Sequence, residues 1–99
     1  MLVVFANSGL ARVETDEAAK TKLPVAVITS ARRKLHLLRQ APDERTLRNW
    51  KSLHYEKLKG EMEGMSSIRL NDQYRMTLTI DTETKPQPTV TIHAIEDYH

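Results

Sequence analysis

The chain ends in three residues whose side chains can transfer protons. Asp97, Tyr98 and His99 place a carboxylate, a phenol and an imidazole next to one another. These groups act as general acids and bases, and the imidazole titrates near neutral pH without help from its surroundings. Terminal residues are usually poorly ordered unless something ties them down, so their position alone favours a frayed tail. The cluster is a candidate site that depends on the element before it.

The segment before this cluster predicts a strand. Residues 89–95, TVTIHAI, alternate β-branched and polar residues as a half-buried strand does. Such a strand would carry the three terminal residues to the rim of a sheet. The tail then becomes a plausible part of a site.

The composition limits the chemistry that the chain can perform. Its 99 residues suffice for one domain with a single modest core. The absence of cysteine excludes disulfides, thiolate metal sites and cysteine nucleophiles, and it suits a reducing cytoplasm. The four histidines show neither HExxH spacing nor close pairing. We therefore expect no metal and no other cofactor.

Positive charge is concentrated in the middle of the chain. Residues 20–59 contain eleven Lys or Arg against three Asp or Glu, a local balance of +8, within a total of +2. Such a block is typical of proteins that bind nucleic acid, although solvated basic helix faces are also common. The first residues make a poor signal peptide, and no stretch is long enough to span a membrane. We expect a cytoplasmic protein with no membrane contact.

The first half of the chain predicts a strand followed by helices. LVVF, at residues 2–5, is typical of a short strand, and residues 14–17 predict a loop or a short helix. The main helix begins near Pro24 and ends before Pro42, and Asp43 is positioned to cap a shorter helix. Five apolar residues share one face of the main helix: Val27, Ile28, Ala31, Leu35 and Leu38.

The second half changes to the period of strands. SSIRLN and YRMTLTID each alternate apolar and polar residues and predict an antiparallel hairpin. Opposed residues must point to the same side, and only a three-residue loop (residues 71–73) sets Leu70 opposite Tyr74 and Ile68 opposite Met76. The order of strand, helices and meander predicts an α+β domain with two or three helices packed on one face of a small antiparallel sheet.

The same register places two like charges opposite each other. Arg69 faces Arg75 on the polar side of the predicted hairpin. Paired like charges destabilise a sheet unless both side chains extend into solvent. Two guanidinium groups that converge on one phosphate instead form an anion-binding face. The spacing leaves both interpretations open.

The second half also resembles a known family. LKGEMEGMSSIRLNDQYRMTLTI, together with the terminal EDYH, is similar to the HigB-like toxins of the RelE superfamily. The resemblance covers residues 58–99 strongly and the first half only in its order of strand and helices. It implies a single RelE-like domain over residues 1–99.

The resemblance implies a toxin of a type II toxin–antitoxin system. Such toxins enter the ribosomal decoding site and cleave mRNA there, which inhibits translation and arrests growth. The implied partners are a HigA-type antitoxin with a helix-turn-helix domain, the ribosome and mRNA, with operator DNA bound only through the antitoxin.

The resemblance also implies which residues form the active site. Metal-free cleavage requires a 2′-hydroxyl to lose its proton, the phosphorane charge to be stabilised and the leaving oxygen to gain a proton. His99 and Glu56 are candidates for acid and base, in an order that the sequence leaves open. The implied catalytic residues are Glu56, Lys59, Arg75, Asp97, Tyr98 and His99. Three more are expected to contact RNA, namely Lys57, Arg69 and Gln73.

Two departures from the family pattern keep other functions open. Met62 and Met65 stand where relatives usually have an arginine and an aromatic residue. They keep open a non-catalytic module that only joins its antitoxin in a repressor complex, and the basic block of residues 20–59 suggests a general RNA-binding protein as a further alternative. The residue types favour structural or solvent-exposed roles for His54 and His93, and a core role for Trp50.

Overall fold

The computed structural model describes residues 1–98, which form three α-helices and five strands. Short 3₁₀ segments at Arg12–Glu14, Ala18–Thr21, Lys51–Leu53 and Gly60–Met62 join some of these elements. The main elements in chain order are β1 (Leu2–Phe5), α1 (Ser8–Ala11), α2 (Val25–Gln40), α3 (Glu44–Asn49), β2 (Glu56–Lys57), β3 (Ser66–Arg69), β4 (Tyr74–Asp81) and β5 (Thr89–Asp97).

The five strands form one mixed sheet in the order β1-β5-β4-β3-β2. The neighbours β2–β3, β3–β4 and β4–β5 are antiparallel, whereas β1 runs parallel to β5 at the edge. The predicted α+β class and the antiparallel meander are confirmed. Two parallel strands need a long connection between them. Between β1 and β5 this connection contains the helices as well as the other strands.

The helix α2 covers one face of the sheet and contributes much of the core. It begins after Pro24, which occupies the N-cap position, and ends at Gln40, two residues before Pro42. The apolar face predicted from the sequence is confirmed, because its five residues are all buried: Val27, Ile28, Ala31, Leu35 and Leu38. They pack with inward-facing residues of the sheet, which are Ile68, Met76, Leu78, Val90 and Ile92.

The hairpin of β3 and β4 has the predicted register. Ile68 pairs with Met76 and Arg69 with Arg75, and the Leu70 amide donates to the Tyr74 carbonyl at 2.9 Å. The connecting residues form a tight turn because the Asn71 Oδ1 accepts hydrogen bonds from the amides of residues 73 and 74. The alternation of the two strands therefore sends Ile68 and Met76 to the helices and both arginines to the opposite, open face.

A β-bulge interrupts the pairing of β4 with β5. Thr77 pairs with Ala94 and Leu78 with Ile92, so His93 is an extra residue on β5. Its Nε2 lies 2.9 Å from the Thr79 Oγ1. Because the extra residue shifts the alternation of side chains along β5, the Ile95 side chain points toward the helices. The Glu96 side chain then points to the open face, opposite Arg75. The pattern TVTIHAI predicted the strand but not this shift.

Other local features depart from the predictions or were not predicted. The sequence predicts a loop or a short helix at residues 14–17, and the structure has there the end of the 3₁₀ segment Arg12–Glu14 followed by a turn. The two-residue strand β2 extends the sheet by pairing Glu56 with Ser67. The cap predicted for the second helix is confirmed, since Asp43 Oδ1 accepts from the Thr46 amide at 2.9 Å. Within residues 1–98 no helix has the length and apolar character that a membrane span requires.

Candidate active site

A small cavity lies on the open face of the sheet, away from the helices. Its volume is about 110 Å³. Three of the predicted catalytic residues line it, Glu56, Arg75 and Tyr98, together with the predicted RNA-binding residue Arg69. Two residues that the sequence did not single out for chemistry, His54 and Ser67, complete the lining. The structure therefore collects acid–base groups and guanidinium groups from four separate segments of the chain.

The register of the sheet brings these residues together. Glu56 pairs with Ser67, Arg69 pairs with Arg75, and Arg75 pairs with Glu96. Directly opposed residues point to the same side of a sheet, so all five side chains emerge on the open face. Arg69, Arg75 and Glu96 form one row across β3, β4 and β5, and Glu56 and Ser67 belong to the next row on the same face.

Arg75 lies at the centre of this row and has three neighbours. Its Nε and Nη2 each lie 3.1 Å from the Oε1 of Glu96, which forms an ion pair. Its Nη2 is also 3.4 Å from the Met62 Sδ, and its guanidinium lies 5.5 Å from the centre of the Tyr98 ring. The side chain is only 21% exposed. These contacts hold the guanidinium group in one position over the sheet.

The two opposed arginines differ in their surroundings. Arg75 is held by Glu96 and Tyr98, whereas Arg69 is exposed at the end of β3. Because Glu96 neutralises one of the two positive charges, the like-charge pairing costs less than it would in isolation. The Arg69 guanidinium remains accessible to an anion that enters the cavity.

The segment that carries Glu56 is fixed by its neighbour Tyr55. The Tyr55 hydroxyl lies 2.6 Å from the Glu44 Oε2 and 3.0 Å from the Ser66 Oγ. Burial, and the bond to Glu44, raise the pKa of Tyr55 to about 12. Tyr55 therefore anchors the segment to both α3 and β3, and Glu56 points to the opposite side because side chains alternate along an extended chain.

The end of β5 is tied to the sheet rather than frayed. Asp97 pairs with Tyr74, and the Tyr98 amide donates to the Gln73 carbonyl at 3.0 Å. The Asp97 Oδ2 accepts a hydrogen bond from the Gln73 Nε2 at 2.7 Å. Asp97 follows the alternation of Ile95 toward the helix side, so it and Gln73 are not part of the cavity lining. His99, a predicted catalytic residue, lies outside the described residues.

The two predicted lysines line a different cleft. Lys57 and Lys59 border a space of about 750 Å³ beside α3, at the edge of the sheet beyond β2. Lys57 pairs with Ser66 in the sheet, so it points to the helix side, where its Nζ lies 3.9 Å from the Glu44 Oε2. The structure thus separates the lysines from the cavity that holds Glu56 and Arg75.

Two glycines shape the loop between these two spaces. Gly60 and Gly64 have φ values of 71° and 94°, which residues with a β-carbon rarely adopt. The intervening 3₁₀ turn presents Met62 to Arg75, while Met65 lines the lysine cleft. The two methionines that depart from the family pattern therefore lie on different sides of the loop.

Three residues of the site were not predicted for chemistry. Glu96 lies on the open face only because the bulge at His93 changes the direction of the strand, and the sequence does not reveal a bulge. Ser67 is buried and lies opposite Glu56. Its position could not be predicted without the strand β2, which the sequence pattern did not indicate. His54 precedes Glu56 by two residues, and this spacing was the one available signal for it. Residues 1–98 contain no group of three or more His, Cys, Asp or Glu side chains placed to hold a metal ion.

Comparison with known proteins identifies similar folds and one matching family. The model of a family described as the RelE-like toxin HigB of type II toxin–antitoxin systems matches residues 3–87. A YoeB/ParE toxin from Agrobacterium tumefaciens superimposes with a TM-score of 0.62 at 14% identity, over 100% of both chains. No curated protein sequence matches the chain.

Two solved toxin–antitoxin complexes are also similar. A YoeB–YefM complex from Staphylococcus aureus matches with a TM-score of 0.56 and 17% identity, over 100% of this chain and 98% of that one. The RelBE2 complex from Mycobacterium tuberculosis matches with a TM-score of 0.51 and 19% identity, over 97% and 95% of the two chains. At such low identity these likenesses establish a shared fold.

Proposed function

The chain belongs to the HigB-like family of RelE-like toxins from type II toxin–antitoxin systems, and from this membership we propose that it is a ribosome-dependent endoribonuclease. In this proposal it cleaves mRNA in the decoding site, without a metal, and so inhibits translation and arrests growth in the cytoplasm. One observation carries the proposal: Glu56, Arg75 and Tyr98 come from distant segments and line one cavity.

The residues that line this cavity suit a cleavage reaction in which the RNA supplies its own nucleophile. The ribose 2′-oxygen attacks the adjacent phosphorus, and the bond from phosphorus to the 5′-oxygen breaks. The protein then needs a base for the 2′-hydroxyl proton, cations for the phosphate charge and an acid for the departing oxygen. Glu56 and His99 are the proposed acid–base residues, and Arg75 and Arg69 the proposed phosphate ligands.

Tyr98 and the lysines receive supporting roles. The Tyr98 ring is 36% exposed beside Arg75, so a base that leaves its helical stack can pack against it. Lys57 and Lys59 line the neighbouring cleft, and we propose that they contact the phosphates that flank the cleaved position. The side chains of Asp97 and Gln73 are hydrogen-bonded to each other next to the terminal residues. Their proposed role is to position that end of the chain.

The proposed partners follow from the family. The similar structures include a YoeB–YefM complex and a RelBE2 toxin–antitoxin complex, and we propose that this chain binds an antitoxin of the HigA type, with a helix-turn-helix domain. Operator DNA would then be bound only through that antitoxin. The exposed Arg33, Arg45 and Arg48 on α2 and α3 suit either ribosomal RNA or an acidic antitoxin surface.

A second function is favoured by the contact between Met62 and Arg75. Methionine fills the place beside the guanidinium where an arginine would supply another phosphate ligand. Glu96 also engages Arg75. A toxin-like module that binds its antitoxin but leaves mRNA intact would tolerate both features. This alternative predicts normal growth when the chain is expressed alone.

The proposal is tested by expression without antitoxin and mapping of 5′ ends on mRNA in translating ribosomes. Cuts inside decoded codons are expected from the native chain, with fewer from Tyr98→Ala, His99→Ala and Arg75→Ala. His36→Ala is the matched control, because His36 is exposed on α2, on the other side of the molecule from the cavity. Intact messages and normal growth would reject the endonuclease and favour the binding module.

A further inference from the structure

His54 lines the candidate active site, although its residue type favours a structural or solvent-exposed role. Its side chain borders the cavity with Glu56, Arg75 and Tyr98. It is the one histidine of residues 1–98 that lines this cavity, because His36 lies on α2 and His93 forms the bulge of β5. An imidazole is thus available beside a carboxylate and two guanidinium groups.

The backbone holds His54 in an unusual conformation. Its φ of 47° and ψ of 46° lie in the left-handed region, which is uncommon for residues other than glycine. The residue ends the 3₁₀ turn Lys51–Leu53, where its amide donates to the Lys51 carbonyl at 3.1 Å. Strained residues of this kind concentrate at functional sites. The strain is a second observation that singles out His54.

The neighbours of His54 explain why its side chain faces the cavity. Leu53 is completely buried, and the Tyr55 hydroxyl is bonded to Glu44 and Ser66. Both neighbours are therefore anchored in the protein, one on each side of His54. Glu56 follows two residues later and reaches the same cavity. Anchoring of both neighbours fixes the backbone from which the His54 side chain extends.

We infer that His54, and not His99, is the general acid of the proposed cleavage reaction, with Glu56 as the base. This inference rests on the proposed function. The Glu56 carboxylate accepts the proton of the 2′-hydroxyl as the bond from the 2′-oxygen to phosphorus forms. The His54 imidazolium donates its proton to the 5′-oxygen as the bond from phosphorus to that oxygen breaks. One proton is gained and one is lost, and exchange with water restores both residues.

The chemistry of the two groups decides their order. A carboxylate is ionised at neutral pH and then only accepts hydrogen bonds, so it suits the base. An imidazole supplies both protonation states near neutral pH and suits a group that must donate a proton to an alkoxide. Arg69 and Arg75 then contact the phosphate between the two residues. The cavity contains every group that the reaction requires.

The experiment compares two mRNAs on ribosomes, one of them with sulfur in place of the 5′-bridging oxygen at the cleaved position. A thiolate leaves without protonation, so loss of the general acid affects only the ordinary message. We expect His54→Asn to cleave the ordinary mRNA at least about 100-fold more slowly and the sulfur-containing mRNA at nearly the native rate. Asparagine tolerates the left-handed backbone, and His54→Gly, which adopts it freely, is a second variant. His36→Asn is the matched control and is expected to cleave both messages normally.

The outcomes separate this inference from the proposed function. A native chain that leaves both messages intact would reject the nuclease and the inference together. A native chain that cleaves, with His54→Asn and His54→Gly slowed equally on both messages or on neither, would overturn the inference alone. Rescue by sulfur in His99→Asn but not in the His54 variants would assign the acid to His99, which also overturns it.

Discussion

The Arg75 guanidinium and the Glu96 carboxylate form an ion pair across β4 and β5, with Nη2 3.1 Å from Oε1. The carboxylate thus lies beside the group that we propose for phosphate binding. An incoming phosphate must share Arg75 with Glu96 and is repelled by its charge. We expect Glu96→Gln to bind a 2′-deoxy, uncleavable mRNA on the ribosome about threefold to tenfold more tightly, which corresponds to about 1 kcal/mol.

The affinity of this variant is measured as a dissociation constant at several salt concentrations. Glu83→Gln is the matched control, because Glu83 is an exposed acid on the distant connection between β4 and β5. Both variants remove one negative charge from the protein. Equal tightening by the two would assign the effect to net charge, and unchanged affinity in Glu96→Gln would contradict competition at Arg75.

Met62→Arg tests whether the missing cation limits the reaction. The Met62 Sδ lies 3.4 Å from the Arg75 Nη2, so an arginine at this position can reach the same phosphate. A charge-assisted hydrogen bond in the transition state is worth about 1.5–3 kcal/mol, so we expect cleavage to be at least about tenfold faster. The measurement is the single-turnover rate on programmed ribosomes.

The control for this change is Met65→Arg, which adds the same charge to the lysine cleft on the other side of the loop. The Met65→Arg variant is expected to bind mRNA on the ribosome more tightly, with little change in the maximal rate of cleavage. A Met62→Arg variant with unchanged or reduced rate would show that methionine already suits the site.

The separation of Lys59 from Arg75 predicts two different kinetic defects. Lys59 lines the neighbouring cleft, and Arg75 lies in the cavity. We expect Lys59→Ala to raise KM and reduce the salt dependence of binding with little loss of kcat. Arg75→Ala is expected to lower kcat about 100-fold to 1,000-fold, because it removes a donor to the developing phosphate charge.

Arg75→Lys is the control that retains the charge but loses the forked geometry, and it is expected to recover only part of kcat. The measurement is the full dependence of cleavage rate on ribosome concentration for each variant. A large fall in kcat for Lys59→Ala would place its ammonium group at the reacting phosphate and contradict the division into two sites.

The hairpin shows how much of the fold the sequence specifies. The requirement that opposed residues share a face was enough to select the three-residue loop and the pairing of Ile68 with Met76. A one-residue slip would have exposed every apolar side chain of the hairpin, so the pattern strongly constrains the register. The buried face of α2 was predictable in a similar way, because the residues that pack on the sheet are apolar and recur at helical spacing.

The parts of the site that escaped prediction depend on contacts distant in sequence. The parallel pairing of β1 with β5 joins the two ends of the chain, and no local pattern specifies it. Glu96 reaches Arg75 because of a bulge at His93. His54 reaches the cavity because one backbone conformation in a 3₁₀ turn redirects the chain. The bulge and the turn are single irregularities, and periodicity predicts only regular elements.

Tyr55→Phe tests the anchor that positions His54 and Glu56. The variant loses hydrogen bonds to Glu44 and to Ser66, which is buried. We expect the free energy of unfolding to fall by about 1–2 kcal/mol, as measured by urea denaturation at pH 7. Tyr74→Phe, at another half-buried tyrosine packed on the core, is the control and is expected to change stability less.

The same anchor predicts a difference in alkaline stability. Burial raises the pKa of the Tyr55 phenol from 10.0 to about 12, so the fold favours the protonated hydroxyl. The resulting stabilisation is fully present below pH 10 and is lost as the pH rises toward about 12. Phenylalanine has no proton to lose, so the gap in unfolding free energy between the native chain and Tyr55→Phe should narrow across this interval. A gap that stays constant from pH 9 to pH 11.5 would mean that the phenol titrates alike in the folded and unfolded chains. Urea denaturation of both proteins in parallel isolates this group, because every other titration is common to the two chains.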